Sequence, residues 1–188
     1  MSFVGYTKAA SYMHWVIAFP LIGCVASVLQ AQQAPKEQKG ELMRRHKSLG
    51  LLTGMLVAPR VAYRLMNINK YNLIPLVGNT PTENALGKFT HYLLYGFMIV
   101  MPASGIAMGY YGGKGLPFFA TTFPGIVAAD DEQKKKYGQI AKQSFGIHKQ
   151  IGTYGKFLIP IHVGAASLHY FRGQSIFMRI NPFRKPTG

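Results

Sequence analysis

Six histidines carry most of the chemistry available to this chain. Three of them, His148, His162 and His169, fall with Gly155 on every seventh position of the stretch HKQIGTYGKFLIPIHVGAASLH. Seven residues are nearly two helical turns, so these positions share one stripe of a helix, drifting about 20° per step. His148 and His162 lie 162 − 148 = 14 residues apart, which is roughly 21 Å of helix rise. A single zinc ion would want histidines about three to five residues apart. Two imidazoles on one face, about four turns apart with a glycine between them, suit two stacked haems better than one bare metal ion.

Apolar helices are needed to hold such a stripe, and four runs are long enough to be considered. They are predicted to span a membrane at about 10–31, 46–66, 85–110 and 147–171, each near the ~20 residues needed to cross ~30 Å of hydrocarbon. The first reads as a retained span carrying His14 and Trp15. A polar loop is expected at 32–41, and a Pro/Asn/Gly-rich connector at 67–82, with Thr82 and Glu83 as a helix start. A long loop is expected from 111 to 145, holding LPFFATTFPG and then DDEQKKKYGQIAK. Loops of that length are more often functional than incidental.

Composition narrows the partners. Lys and Arg number 21 against 6 Asp and Glu, a formal charge of +15. In a soluble chain that balance would point to nucleic acid. The apolar runs exclude that reading and favour anionic membrane lipid or an acidic partner. Cys24 is the only cysteine, so the chain has no internal disulfide, no CxxCH haem attachment and no cysteine-ligated iron–sulfur cluster.

Four spans put both termini on one side. His14, His91, His162 and His169 then belong toward that terminal side, and His46 and His148 toward the opposite side. An imidazole in a bilayer is costly and faces the bundle interior. A haem needs two axial nitrogens from facing helices, which pairs His46 with His148 and His14 with His162. Two strong axial ligands leave no open coordination position, an arrangement for electron transfer rather than oxygen activation. His91 lies at about the depth of His14, so spacing alone lets either face His162. His169 lies one step further down the stripe, roughly 10 Å nearer the surface. With His91 and Tyr95 it is a candidate to hydrogen-bond the polar head of a quinone, or else it sits at the lipid interface.

The flanking residues carry paired readings. Gly50, Gly54, Gly152 and Gly155 either leave room for a flat macrocycle or allow close helix packing. Arg60 lies 60 − 46 = 14 residues past His46 and is a candidate partner for haem propionates, whereas Arg64 reads as snorkelling to the surface. Arg44, Arg45, Lys47 and Lys149 ring the opposite-side pair. They suit an anionic donor, an acidic redox partner or phospholipid headgroups.

His14-Trp15, HKSLG at 46–50, HYLLY at 91–95, YYGGKGLPFF at 110–119 and the fourth-span stretch together resemble the bacterial-type cytochrome b561 family. That family is related to the membrane cytochrome b subunits of hydrogenases and formate dehydrogenases. The resemblance covers nearly the whole chain. It implies an all-α integral membrane four-helix bundle, one domain over 1–188, enclosing two b-type haems ligated by His14, His46, His148 and His162. It resolves the His91 alternative in favour of His14. It implies a quinone-linked oxidoreductase, with superoxide giving its electron at one face and ubiquinone receiving it at the other, near His91 and His169. The membrane would be an energy-transducing one, bacterial cytoplasmic or mitochondrial inner. Lys134–Lys136 and the basic tail depart from the family pattern and would suit a haem-containing accessory or anchor subunit of a larger respiratory-chain complex, or a eukaryotic organelle protein. A basic membrane protein without haem is the third alternative.

Overall fold

The computed structural model describes residues 7–66 and 78–183. Most of the connector expected at 67–82, and the last basic residues of the tail, lie outside the described residues. Helix α1, Lys8–Gln33, and helix α2, Lys36–Met66, form an antiparallel hairpin. Thr7 starts α1 by accepting from the Ala10 amide at 3.2 Å, a side-chain N-cap. Only Ala34 and Pro35 separate the two helices. The polar loop expected at 32–41 is therefore mostly helix, and α2 starts 46 − 36 = 10 residues before its expected position. The physical reason is that the Lys, Glu and Gln of this stretch are good helix formers. Glu37 also complements the positive end of the helix dipole, and Arg45 bonds Glu41 one turn back at 3.1 Å.

Helix α3 covers Pro81–Tyr111. Its start is a reciprocal capping box. The Thr80 hydroxyl accepts from the Glu83 amide at 3.2 Å, and the Glu83 carboxylate accepts from the Thr80 amide at 2.8 Å. The helix thus begins at the residue after Thr80 rather than at Thr82. The chain then makes a small antiparallel hairpin, β1 Leu116–Phe118 with β2 Thr121–Phe123. Phe119 turns it with φ of 50°, a left-handed conformation that a bulky residue adopts only when its surroundings hold it there. They do: the Phe119 amide donates to Ser48 Oγ at 2.9 Å, and its carbonyl accepts from Arg44 Nε and Nη2 at 2.9 and 2.7 Å. The hairpin is pinned beside the end of α2 that carries His46.

The long loop expected from 111 to 145 is shorter than that. Helix α4 runs Asp131–Gly155, starting 147 − 131 = 16 residues before the expected span. Asp130 caps it, accepting from the Gln133 amide at 2.7 Å, and Asp131 and Glu132 occupy its first turn. The charged run DDEQKKK is a helix start, not a loop. Helix α5, Leu158–Phe171, follows after a break at Lys156–Phe157. Pro160 explains the break. It has no N–H to give the Lys156 carbonyl four residues back, and its ring crowds that carbonyl. The Phe157 amide bonds instead to Tyr154 O at 3.3 Å, a tighter turn. The stripe of histidines is thus shared between two helices, and the straight-helix rise between His148 and His162 does not hold across the kink. A short 3₁₀ helix, Phe177–Ile180, returns to α1, where Trp15 Nε1 donates to Ile180 O at 3.0 Å.

Packing runs α1 along α2 and α3 along α4, with α2 meeting α3. The contacts are built from small residues: Ser11, Ser27, Ala31, Ser48, Thr53 and Ser104 are buried, alongside Ile17, Cys24, Val57 and Phe97. The hydroxyls of Ser27, Thr53 and Ser104 bond carbonyls one turn back, so burying them leaves no polar group unmet. Of the glycines near the histidines, Gly54 and Gly155 have their side-chain space taken by protein, and Gly50 is in ordinary contact with Cys24. A Cβ on Gly54 would lie 2.8 Å from Pro102 Cβ, one on Gly50 3.4 Å from Cys24 Sγ, and one on Gly155 would enter the Phe97 ring. At Gly54 and Gly155 a neighbouring helix fills the gap, which favours close helix packing there over room for a macrocycle; Gly50 leaves both readings open. In contrast, α5 buries none of its residues. Helices α1 and α3 are each long and apolar enough to cross a membrane.

Gly155→Ala drives a methyl into Phe97 and is expected to destabilise the bundle by about 1–3 kcal/mol. A lowered thermal midpoint of the detergent-solubilised protein checks it, and an unchanged midpoint would show that the α3–α4 contact is loose.

Candidate functional site

The bundle gathers its histidines at two places. At one end, His46 of α2 faces His148 of α4 with ring centres 6.0 Å apart. At the other, His14 of α1 faces His162 of α5 at 6.4 Å. A metal–nitrogen bond of about 2.0–2.1 Å, plus roughly 1 Å from nitrogen to ring centre, gives ~6 Å between two imidazoles that share one metal. Both pairs have that spacing. His91 of α3 also approaches His162, at 5.3 Å and edge-on. That is closer than the shared-metal spacing, which the His14–His162 pair matches better. Among the described residues, no group of three or more His, Cys, Asp or Glu side chains could hold a bare metal ion. The arrangement is one of facing pairs.

The first pair is held from behind. His46 Nδ1 lies 3.0 Å from the Cys24 carbonyl oxygen. A carbonyl only accepts, so Nδ1 carries the proton and donates, and Nε2 is left with a lone pair. The Cys24 thiol donates to the His46 carbonyl at 3.3 Å and lies 3.3 Å from Nδ1. His148 is held in the same way from α3: Nδ1 lies 3.1 Å from both the Met101 carbonyl and Ser104 Oγ. A Cβ on Gly105 would lie 3.3 Å from His148 Cε1, so that glycine lets the ring lie against α3. Fixing one ring nitrogen by a carbonyl is the usual support of a metal-ligating histidine. The second pair has no such support, since neither His14 nor His162 makes a hydrogen bond among the described residues. Arg60, half-buried, lies within electrostatic reach of His14 and His91. It is therefore at the end of the bundle where a propionate partner was expected.

Two imidazoles facing each other at this spacing are a donor set that fits bis-histidine ligation of haem. The family profile described as Prokaryotic cytochrome b561 matches residues 5–181. The chain belongs to the prokaryotic cytochrome b561 family. It is similar to Cytochrome b561 homolog 1 of Escherichia coli (strain K12), 26% identical over 185 residues covering 96% of this chain and 98% of the relative. It is also similar to the Probable superoxide oxidase CybB of Yersinia pestis, 24% identical over 160 residues and 85% of each chain. This cytochrome b561 is thus a membrane b-type cytochrome, and haem b is the cofactor its family implies.

The remaining candidates separate. His91 is exposed, and its Nδ1 donates to Gly87 O at 2.7 Å. Tyr95 is half-buried one turn further along α3. His169 Nδ1 meets Gln174 Oε1 at 2.5 Å, and Gln174 Nε2 donates to Asn79 Oδ1 at 2.9 Å. With the ion pair of Arg172 and Glu83, this ties the end of α5 to the start of α3. His169 therefore has Nδ1 committed to Gln174 and Nε2 left as an acceptor. Arg44 and Arg45 are engaged with Phe119 and Glu41, while Lys47 and Lys149 are exposed. Sequence reasoning missed Cys24, Met101 and Ser104. The first two act through backbone carbonyls, which carry no residue signature, and Ser104 meets His148 across 148 − 104 = 44 residues.

His46→Ala and His148→Ala are each expected to remove one and the same haem, and His162→Ala the other, with His91→Ala removing neither. Haem content per chain checks the set. Loss of a haem in His91→Ala with retention of both in His14→Ala would overturn the pairing.

Proposed function

We propose that this cytochrome carries electrons across an energy-transducing membrane, as a multi-pass protein with two haem b groups, from an external one-electron donor to a quinone. The single observation behind this reading is the pair of facing histidine couples at opposite ends of the bundle, 6.0 and 6.4 Å apart. Haem b, held by these histidines, would supply reversible one-electron iron chemistry. His46 and His148 would hold the group nearer the β-hairpin. His14 and His162 would hold the group nearer the chain termini.

The relative named as a probable superoxide oxidase supports superoxide as the donor. The charge of +15 raises the local concentration of any anion, and exposed Lys47, Lys149 and Lys134–Lys136 lie on the two helices that bring His46 and His148 together. The same lysines suit phospholipid headgroups or an acidic redox partner. On the terminal side His91, Tyr95 and His169 are the quinone contacts, with ubiquinone as the expected type. Two superoxide ions give up one electron each and leave as oxygen, and the quinone takes two electrons and two protons. His91 and His169, each with Nδ1 committed and Nε2 open, accept hydrogen bonds from the resulting quinol hydroxyls.

Purified, haem-loaded protein is expected to reduce a ubiquinone analogue when superoxide is generated, at a rate suppressed by superoxide dismutase. A rate no higher than that of the haem-free protein would sink the assignment.

A further inference from the structure

The two histidine pairs are unequally supported, and the inequality has a redox consequence. Both rings of the first pair donate Nδ1–H to backbone carbonyls, His46 to Cys24 O and His148 to Met101 O, and His148 shares its proton with a second acceptor, Ser104 Oγ. The Ser104 hydroxyl spends its own proton on Val100 O at 2.7 Å and Met101 O at 3.0 Å. Its lone pair is therefore turned toward Nδ1. Ser104 is buried, at 8% exposure, which strengthens such a bond relative to one in water. Among the described residues, His14 and His162 have no comparable acceptor.

Resting on the di-haem reading above, we propose that Ser104 is a positioning residue that sets redox poise, holding the His46/His148 centre below the His14/His162 centre and so giving electrons a direction from the hairpin end to the terminal end. A proton held on Nδ1 by an oxygen acceptor makes Nε2 more basic. A more basic axial nitrogen stabilises ferric over ferrous iron, and second-shell hydrogen bonding is one of the levers that set a haem's potential.

Nearby charges act in both directions. Half-buried Arg60 lies within reach of His14 and favours the reduced, less positive iron there. Lys47 lies within reach of His46 and works against the poise. It is exposed to solvent, where water and salt screen it, so the buried hydrogen bonds prevail.

The test is a spectroelectrochemical titration of the full chain with both haems, in wild type, Ser104→Ala and His148→Ala. Wild type is expected to titrate in two components. His148→Ala should abolish the lower one. Ser104→Ala should raise that same component toward the other, leaving the upper component and the haem count unchanged. Ser104→Cys keeps a weaker acceptor and is expected to shift it the same way by less, which supplies the reading if the alanine variant does not load. Loss of the upper component in His148→Ala, or a lower component that stays put in both Ser104 variants, would overturn the proposal. A wild-type chain with fewer than two haems would instead overturn the di-haem reading itself, before any potential is compared.

Discussion

A histidine that ligates a metal through Nε2 is oriented when something else holds Nδ1 and points the ring, and His46 and His148 have such support. Here that something is mostly backbone. The Cys24 carbonyl takes the His46 proton at 3.0 Å and the Met101 carbonyl takes the His148 proton at 3.1 Å. Each contact crosses between helices, so it exists only if α1 lies close along α2, and α3 close along α4. The buried serines and threonines and the tightly filled glycines meet that requirement. Gly50 lets Cys24 approach α2, Gly54 receives Pro102, and Gly105 admits the imidazole of His148 to the surface of α3. In a membrane, where water cannot compete and lipid is as apolar as leucine, such close small-residue contacts and interhelical hydrogen bonds are what join helices. One set of contacts therefore holds the bundle and aims the rings.

The kink at Lys156–Phe157 matters for the same reason. A straight helix carrying both His148 and His162 would fix their relative direction by the drift of a seven-residue repeat. Pro160 removes that constraint. His148 is set by α3, through Met101 and Ser104, and His162 is free to meet His14 of α1. The result is two couples of nearly equal width with different surroundings. One is braced by oxygen acceptors, and the other lies beside an arginine and an additional histidine.

The sequence made the couples legible because histidine is rare and costly among apolar residues, and because turn-by-turn spacing survives folding. Helix parity alone assigned His46 and His148 to one end and His14 and His162 to the other. What it could not show was anything carried by the main chain or by distant partners. The carbonyls of Cys24 and Met101 have no residue type to read, and the Gly155–Phe97 contact joins residues 155 − 97 = 58 apart. Two boundaries were misread for a simpler reason. Charged stretches at 36–41 and 131–145 look like loops when hydropathy is the only guide. Yet Glu37 in one and the Asp130 cap in the other mark helix starts by electrostatics and hydrogen bonding. Proline inside the fourth run was visible in sequence. Its effect was masked by the regular histidine repeat that spans it.

Electron transfer through the bundle requires each couple to enclose one six-coordinate iron. The haem content of the purified full-length chain, combined with exposure of the reduced protein to carbon monoxide, tests this most directly. Two non-covalent b-type haems per chain, with a reduced spectrum that carbon monoxide leaves unchanged, is the expected result. One haem, or none, or a reduced iron that binds carbon monoxide, would contradict it.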